Sequence, residues 1–581
     1  DVVLLAEGCM AFRKIIMERT KLDENDYGID PFLSSITIAS LCHHIFRSKI
    51  MKPETIGIIP ENGYHPEHKT SIKCQLWLKY LSEKHNIRFQ HSKNGGEIQV
   101  GKYRIDGYDQ SSNTFYEFHG CLFHGCQRCY KSDTFNSFKQ ELMGTTYEKH
   151  CQRIRNIRKM INGAKLVEIW ECDWDRSVKN DTEIGNFVSQ SKIRDPINPR
   201  DALFGRRTNG ILPPRQLYFP VLPSRINNKL VFPLCRTCAE LQQSKCNHSI
   251  EEKCLKGTWV TLEVQEAIQQ GYQIVEIYEV WHWEKFGLLF GDYVDMFLKG
   301  KQEADSYPDN VNTEKEKQQY IRDFYNREGV QLDASKIQKN KGLRSVMKML
   351  LNSFWGRFGM NTNKTQYKVI SDPLEWYDMV SDDQYTNHNA DFSHANYVQV
   401  FYSTNVDMHE GSTQTSVVLA AYVTCHARLK LYQELKRLDR RVLYFDTDSI
   451  IYTRFPGQYR PKLGDYLGDF TDEVKKKGAQ YIIEFLSAGP KNYSFKLNNG
   501  KTCCTVKGIT LNHISSLILN FESIRDIVLF ERDKKLHVKQ LKFSRDKNNW
   551  FIKTDIISKM YGFVYDKRIL LDSLYTLPYG Y

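Results

Sequence analysis

One short segment constrains this chain more than any other. Residues 443–452 carry two aspartates, Asp446 and Asp448, between two apolar runs. This pattern predicts a β-hairpin buried on both sides, with the two carboxylates at its tip. Burying two like charges side by side is costly unless cations neutralise them, and phosphoryl transfer with two metal ions supplies such cations. The segment therefore predicts a catalytic acid pair, although an ordinary aspartate-rich turn can have the same sequence.

A second segment, residues 344–356, has the pattern of an amphipathic helix. Arg344, Lys348 and Asn352 recur every four residues and therefore share one helix face. Two cations on one face suit the binding of a triphosphate. A solvated surface stripe would show the same spacing, but it would not account for the Asn-Ser-x-Trp-Gly ending. Three apolar residues are expected to pack behind this face: Met347, Leu350 and Leu351.

The charge balance indicates the kind of partner. The formal net charge is +12, which favours a polyanion because Lys and Arg release counterions from phosphates. Aromatic residues make up 13% of the chain, and aromatic rings can stack on bases. A chain of 581 residues is too long for one core and should form roughly three to five domains. It contains no run of about 18 apolar residues, so a membrane partner is not expected.

Taken together, these segments resemble the family B DNA polymerases. The pattern K-x-x-x-N-S-x-(Y/W)-G starting at Lys348, followed by the DTDS turn, is similar to that family's nucleotide-binding helix and metal-binding turn. The resemblance implies two Mg²⁺ ions at Asp446 and Asp448. It also implies nucleotide-binding and primer-template-binding roles for the following residues: Arg344, Lys348, Asn352 and Tyr444 for the nucleotide, and Lys491, Tyr493 and Lys507 for the DNA.

The order and spacing resemble the protein-primed branch of this family, of the organellar and viral type, including large self-synthesising transposons of the Polinton/Maverick kind. Residues 200–209 are similar to the segment that precedes the palm in that branch, and the resemblance covers residues 1–581. Asp1 is similar to the aspartate of the third exonuclease motif. The implied partners are a DNA primer-template, deoxynucleoside triphosphates and a terminal protein primer.

One expected motif is missing. Family B polymerases carry a D-x-x-S-L-Y-P segment whose aspartate binds both metals, and no such segment occurs in this sequence. Residues 205–210 run directly into 211–215 where it should lie, and Asp333-Ala334-Ser335 is a poor substitute. A skipped exon, a faulty gene model or a decayed element copy would each produce this gap. We expect the chain to be a fragment that lacks the first two exonuclease motifs, and to be incomplete or inactive as an enzyme.

A separate signal lies between residues 102 and 174. Cys121, Cys126, Cys129 and Cys172 supply four thiolates, enough to close a structural zinc site. The layout is similar to very-short-patch-repair endonucleases of the restriction-enzyme-like superfamily. That resemblance implies a nuclease-like centre, in which the following residues bind magnesium or assist at the water and the phosphate: Asp106, Glu117, His119 and His124. The alternative is a zinc-stapled domain kept for DNA binding or architecture.

A second cysteine cluster has the spacing of a zinc knuckle. C-x-x-C followed by C-x-H indicates a structural Zn²⁺ site, and we favour these four ligands over the nearby Cys254: Cys235, Cys238, Cys246 and His248. Reduced, unpaired cysteines are the alternative. With 15 cysteines in so long a chain, a reducing intracellular compartment is expected, in the nucleus or cytoplasm of the host.

The expected fold class is α+β and multidomain: a polymerase right hand of palm, fingers and thumb, an exonuclease remnant, and a restriction-endonuclease-like zinc module. The expected boundaries are 1–52 exonuclease remnant, 53–180 zinc module, 181–233 pre-palm, 234–335 zinc knuckle and terminal-protein-region-like insertion, 336–361 fingers helix, 362–415 second insertion, 416–512 palm, and 513–581 thumb.

The function expected from these features is template-dependent DNA synthesis in the replication of a viral or transposon-type element. Two alternatives stay open. One is a zinc-dependent DNA-binding and nicking protein whose polymerase half is a relic. The other is a noncatalytic subunit of a replication complex.

Overall fold

The fold was analysed in a computed structural model. It describes residues 2–56, 70–92, 96–136, 139, 141–191, 200, 202, 209–308, 310–382, 385–404, 415–464, 466–545 and 551–581. The chain divides into two compact units. Unit 1 comprises residues 1–57, 199–360 and 414–581, and unit 2 comprises 58–198 and 361–413. Within the described ranges, no helix is both long and apolar enough to span a membrane.

Helices and strands are mixed along the chain, as the α+β expectation requires. The α-helices are α1 Val2–Arg19, α2 Pro31–Ser34, α3 Ile38–Ile45, α4 Ile72–His85, α5 Cys121–His124, α6 Met143–Met160, α7 Glu171–Asn180, α8 Thr182–Gln190, α9 Arg236–Leu241, α10 Ile250–Lys253, α11 Thr261–Gln269, α12 Gly291–Glu303, α13 Glu314–Glu328, α14 Lys341–Ser353, α15 Pro373–Ser381, α16 Val417–Leu438, α17 Glu473–Lys476, α18 His513–Ile518 and α19 Phe521–Leu529.

The strands are short, and most are two to six residues long. They are β1 Gln90–His91, β2 Ile98–Val100, β3 Tyr103–Ile105, β4 Gly107–Asp109, β5 Thr114–His119, β6 Phe135–Asn136, β7 Glu141–Leu142, β8 Lys165–Trp170, β9 Asn209–Leu212, β10 Ser224–Ile226, β11 Lys229–Val231, β12 Leu255–Gly257, β13 Gln273–Glu276, β14 Gln366–Ile370, β15 Tyr385–His394, β16 Tyr397–Thr404, β17 Val442–Asp446, β18 Ser449–Tyr452, β19 Ile482–Gly489, β20 Asn492–Leu497, β21 Thr502–Val506, β22 Leu536–Arg545, β23 Ile552–Tyr561, β24 Ile569–Leu570 and β25 Thr576–Leu577.

An aromatic core in unit 1 fixes helix α14. The side chain of Asn340 caps the helix by accepting a hydrogen bond from the Leu343 N–H. Met347 and Leu350 are fully buried, and Leu351 packs against the same core. The aromatic members of this core come from α12 and from the segments that follow α3 and α14: Phe46, Tyr293, Phe297, Phe354 and Phe358.

A second core of unit 1 lies around helix α16. Leu431, Tyr432 and Leu435 pack with residues of β9 and of the hairpin β17–β18. Strand β9 is the middle strand of the sheet β12-β9-β13, and both of its neighbours are antiparallel to it. Glu263 of α11 is buried and forms an ion pair with Arg428 of α16. Removing one partner of a buried ion pair would leave the other charge buried without a partner, which is costly. This contact therefore holds α11 and α16 together.

Unit 2 is built on the mixed sheet β1-β4-β5-β8. Strands β5 and β8 are parallel, and Glu117 lies opposite Glu168 while His119 lies opposite Trp170. Every residue of β5 is buried, because α4 and neighbouring helices pack on one face and α6 supplies Ile154 and Ile157 to a second small core. The three-stranded sheet β14-β16-β15 also belongs to unit 2.

The stability of unit 1 should depend strongly on Phe354. This side chain is 4% exposed and stacks on Tyr293 with ring centroids 4.1 Å apart. We expect Phe354→Ala to lower the free energy of unfolding by about 3–5 kcal/mol, because it removes buried apolar surface and leaves a cavity. Urea denaturation followed by intrinsic fluorescence measures this. The matched control Phe286→Ala, at a fully exposed phenylalanine, should change it by less than about 0.5 kcal/mol; equal losses in both variants would contradict the assignment of this core.

Candidate functional site

Asp446 and Asp448 lie at the tip of the hairpin β17–β18. The Asp448 N–H donates to the Asp446 carbonyl over 2.6 Å, and the Thr447 hydroxyl donates to an Asp446 carboxylate oxygen over 3.0 Å. Thr447 takes a left-handed backbone conformation with φ 52°. This conformation is unusual for a β-branched residue, and such strain is often found at functional turns.

The expectation that this hairpin is buried on both sides is wrong. Tyr444, Phe445, Ile450 and Ile451 are only half-buried, and Asp448 is exposed. The physical reason is the small size of the sheet: within the described residues, β17 and β18 pair only with each other. One core covers part of the hairpin, but no third strand shields its edge.

Residues from a later segment of the chain lie beside the hairpin tip. The Lys491 ammonium lies 3.6 Å from the Asp446 carboxylate, and the Lys491 backbone N–H donates to the Tyr444 hydroxyl over 3.0 Å. The Tyr493 ring lies 4.8 Å from the Tyr444 ring. The backbone of Lys507 is fixed by a hydrogen bond to the Asn492 side chain. The structure therefore brings together Tyr444, Asp446, Lys491 and Tyr493, although the exposed ion pair of Lys491 with Asp446 contributes little stability.

Lys567 is a fifth member of this group, and sequence analysis missed it. Burial lowers the pKa of its ammonium; the neighbouring Lys507 and Lys491 lower it further, while Asp566 and Asp446 oppose them. Nothing near Lys567 in the sequence marks it as a site residue, because its neighbours come from segments far away in the chain.

Helix α14 carries a second cationic group. Its Arg344 pairs with Asp305 over 2.8 Å, and its Lys348 and Asn352 are exposed. Lys301 of α12 lies beside them. Burial is the largest cause that lowers the pKa of its ammonium, and the charges of Arg344 and Lys348 lower it further. The carboxylates of Asp305 and Glu328 raise the pKa in opposition. Lys301 was also missed, since it lies on a different helix. Among the described residues no ion pair joins these cations to Asp446 or Asp448.

The strand at the position of the missing motif carries no acid. Strand β9 consists of Asn209, Gly210, Ile211 and Leu212, and Ile211 is buried in the core that also contains Val442 of the hairpin. The chain therefore forms a strand here, but no carboxylate on it could face Asp446. The segment that precedes it, 203–208, and the exonuclease-like Asp1 lie outside the described residues.

Two groups of sulfur and nitrogen atoms have the spacing of zinc sites. In each group the ligand atoms lie within 4.8 Å of one another. In the first, Cys126 and Cys172 have their sulfurs 4.0 Å apart, close to the roughly 3.8 Å expected for two thiolates on a tetrahedral zinc. In the second, His248 Nδ1 lies 3.3–3.8 Å from three sulfurs. The members are those expected from the sequence: Cys121, Cys126, Cys129 and Cys172, and Cys235, Cys238, Cys246 and His248.

The acids of the nuclease-like segment are buried and already bonded. Asp106 accepts a hydrogen bond from the Phe118 N–H, and burial raises its pKa to about 6. Burial raises the pKa of Glu117 to about 7, against the opposing effect of Arg153. The Arg153 guanidinium donates to both Glu117 oxygens, over 2.7 and 2.9 Å. A metal at Glu117 would therefore have to displace this guanidinium.

Two of the four predicted nuclease-like residues lie in a histidine cluster. His119 and His124 contact His150 of α6, a residue that the sequence analysis did not single out. Burial lowers the pKa of His124 to about 2 and that of His150 to about 4. Both imidazoles are therefore neutral at physiological pH.

Comparison with known proteins gives one family match, over part of the chain. Residues 178–317 and 312–437 match the family model described as DNA polymerase type B, organellar and viral. The matched residues, 178–437, make up less than half of the chain. The matched range contains α14 and β9 and ends just before the hairpin β17–β18. None of the curated proteins matches the chain.

Among solved structures, the chain is similar to Phi29 DNA polymerase. The complex with primer-template DNA and incoming nucleotide substrates is 12% identical, with a TM-score of 0.31, over 64% of this chain and 53% of that one. The complex with single-stranded DNA is also 12% identical, with a TM-score of 0.32, over 61% and 50%. The chain thus spans about half the length of that polymerase.

The left-handed backbone conformation of Thr447 gives a direct prediction. We expect Thr447→Asn to raise the free energy of unfolding by about 1 kcal/mol, because asparagine tolerates the left-handed conformation that a β-branched residue resists. Chemical denaturation measures the change. Thr505→Asn, at an exposed position of strand β21, is the control and should give no gain. A loss of stability in Thr447→Asn would show that the threonine hydroxyl outweighs the backbone strain.

Proposed function

We propose that this chain is a DNA-directed DNA polymerase of a protein-primed, viral or transposon-type replication system by family, and that as given it binds primer-template DNA but does not extend it. The observation that carries the proposal is the hairpin tip of Asp446 and Asp448 with Lys491 beside it, directly after a range that matches the type B polymerase family. An acid pair next to lysines suits metal-assisted transfer of a nucleotidyl group to a DNA end.

The lysines around the turn hold the primer-template in this proposal. Lys491, Lys507 and Tyr493 contact the DNA, and the newly found Lys567 adds a fourth contact from the end of the chain. Contacts of this kind go to phosphates and sugars, so binding is largely independent of sequence. The net charge of +12 is consistent with such a partner.

Helix α14 binds the incoming deoxynucleoside triphosphate in this proposal. Arg344, Lys348 and Asn352 lie on the face opposite the buried Met347 and Leu350, and Lys301 adds a further cation. Tyr444 contributes beside the acid turn. The aromatic core holds the helix rigidly, which matters because positioning supplies much of the catalysis in phosphoryl transfer.

The same proposal assigns the segments of the chain. Residues 416–512 form the palm, 336–361 the fingers helix and 513–581 the thumb, while 234–335 contact a terminal protein primer. The two thiolate groups bind structural Zn²⁺, and the protein acts in the nucleus or cytoplasm of its host. The number of free cysteines, 15, supports a reducing compartment.

The residues present do not fit a pair of Mg²⁺ ions. A two-metal site holds its two metal ions about 4 Å apart and needs carboxylates on both sides of them. Asp446 and Asp448 come from one turn, and strand β9 offers only Asn209, Gly210, Ile211 and Leu212. The chain can therefore orient DNA and nucleotide through its cations, but the described strand β9 supplies no opposing acid that would complete the metal pair.

DNA nicking by unit 2 is the second candidate function. The burial of Asp106 and Glu117 beside histidines favours it, because perturbed acids often mark catalytic sites. The resemblance to very-short-patch-repair endonucleases remains a prediction. We rank this function second because Arg153 already occupies both oxygens of Glu117.

The purified chain is expected not to extend a primer in the presence of Mg²⁺ and all four deoxynucleotides. Loss of a ligand that stabilises the transition state costs several kcal/mol, and each 1.36 kcal/mol is about tenfold in rate. A gel-based primer-extension assay checks this. Template-dependent incorporation that disappears in Asp448→Ala would contradict the expectation and show that another acid completes the site.

DNA binding is expected to survive without extension. Fluorescence anisotropy with a labelled primer-template, at several salt concentrations, should show a steep loss of affinity with salt. Lys507→Ala should weaken binding and reduce the logarithmic salt slope by about 1. Lys315→Ala, an exposed lysine of α13, is the matched control. Identical slopes for wild type and Lys507→Ala would remove Lys507 from the proposed contact.

Zinc content tests the two thiolate groups. We expect Cys238→Ser to lower the bound zinc by one equivalent per chain, because three remaining ligands hold structural zinc poorly. Elemental analysis by mass spectrometry after gel filtration measures this. Cys9→Ser, a cysteine of α1 outside both groups, should leave the zinc content unchanged. Unaltered zinc in Cys238→Ser would show that this knuckle binds none.

A further inference from the structure

Three histidines of unit 2 converge from separate elements. His119 ends strand β5, His124 ends the short helix α5, and His150 lies in the middle of α6. One imidazole nitrogen from each lies within 4.8 Å of the other two. The ring centroids of His119 and His124 lie 4.4 and 4.6 Å, respectively, from that of His150.

The burial of this cluster calls for a bonding partner. His119 is fully buried and His150 is 7% exposed, yet within the described residues Nδ1 of each ring has no hydrogen-bond partner. A buried polar atom without a partner costs on the order of 1–3 kcal/mol. His150 also occupies a position on the inner face of α6, in line with Thr146 and Ile154, where an apolar residue would cost less. Two nitrogens without a partner in one cluster indicate a bound group that interacts with both of them.

We propose that His119, His124 and His150 bind one transition-metal ion of the zinc class through three imidazole nitrogens. Imidazole nitrogen is a preferred ligand of such ions. On a tetrahedral zinc two nitrogens lie about 3.3 Å apart, so the observed spacing needs only small side-chain movements. Because His124 is half-buried rather than fully buried, the ion can enter from its side.

Neighbouring residues already support one ligand. His119 Nε2 is hydrogen-bonded to a Glu168 carboxylate oxygen over 3.0 Å, and Arg158 holds the other Glu168 oxygen. A carboxylate behind a metal-binding histidine fixes its tautomer and ring orientation. With Nε2 engaged by Glu168, Nδ1 of His119 is the nitrogen left for the metal. Glu168 is thus a positioning residue.

This site differs in kind from the nearby thiolate group. Four cysteines complete a tetrahedron, as in structural zinc sites, whereas three histidines leave one position for water or another small ligand, as in catalytic ones. The proposal is independent of polymerase activity, since it concerns residues of unit 2 alone. It assigns the chain a third metal and a position at which that metal can bind an exchangeable ligand.

Cobalt binding to the full chain tests the proposal. The protein is stripped of metal with a chelator under reducing conditions and titrated with Co²⁺, which gives charge-transfer absorption with thiolates but not with imidazoles. We expect three equivalents in the wild type and two in His150→Ala, with the thiolate charge-transfer bands unchanged. His85→Ala, an exposed histidine of α4, is the matched control and should retain three.

Two further variants test the proposal if His150→Ala fails to fold. His124→Ala changes the most exposed of the three rings and should lose the same equivalent. Glu168→Gln should keep three equivalents but weaken the third by about 10–100-fold. Wild-type protein that binds only two equivalents would overturn the proposal. The proposal would also be overturned if both histidine variants kept the third equivalent of Co²⁺. Loss of the thiolate bands together with the third equivalent would overturn it as well.

Discussion

The packing of one aromatic core fixes the helix that carries the predicted nucleotide-binding face. Phe354, Tyr293 and Phe46 hold the apolar side of α14 against α12 and α3, so the opposite side, with Arg344 and Lys348, stays in a fixed position. A cationic face binds a triphosphate productively only when it does not move relative to the acids. The core therefore links fold to function more directly than any ion pair on the surface.

Sequence reasoning predicted the local geometry where a group is set by spacing along the chain. The hairpin tip at Asp446 and Asp448, the face of α14 and both cysteine groups are each set by residues a few positions apart, or by two such clusters, and the structure brings their members together. Lys301, Lys567 and His150 escaped because each joins its group only through tertiary packing. The burial of the hairpin was overestimated because its apolar residues suggested a covered sheet, and two strands alone cannot cover themselves.

Strand β9 shows that a strand can form at this position without an acid. Its four residues keep their place between β12 and β13, and Ile211 still contributes to the core. Sheet pairing depends on backbone groups and burial, neither of which needs the catalytic acid. Structural integrity and catalytic competence are therefore separable at this position, which is why DNA binding and extension should respond differently.

Unit 2 is formed by two separate stretches of the chain, which has a consequence for biosynthesis. Its two stretches, 58–198 and 361–413, are separated by residues 199–360 of unit 1. At about 5–20 residues per second, a ribosome needs roughly 10 to 30 s to make that intervening part. The first stretch, with its thiols and histidines, emerges that much earlier than the second. Nascent unit 2 must therefore wait, incomplete, while the middle stretch of unit 1 is translated.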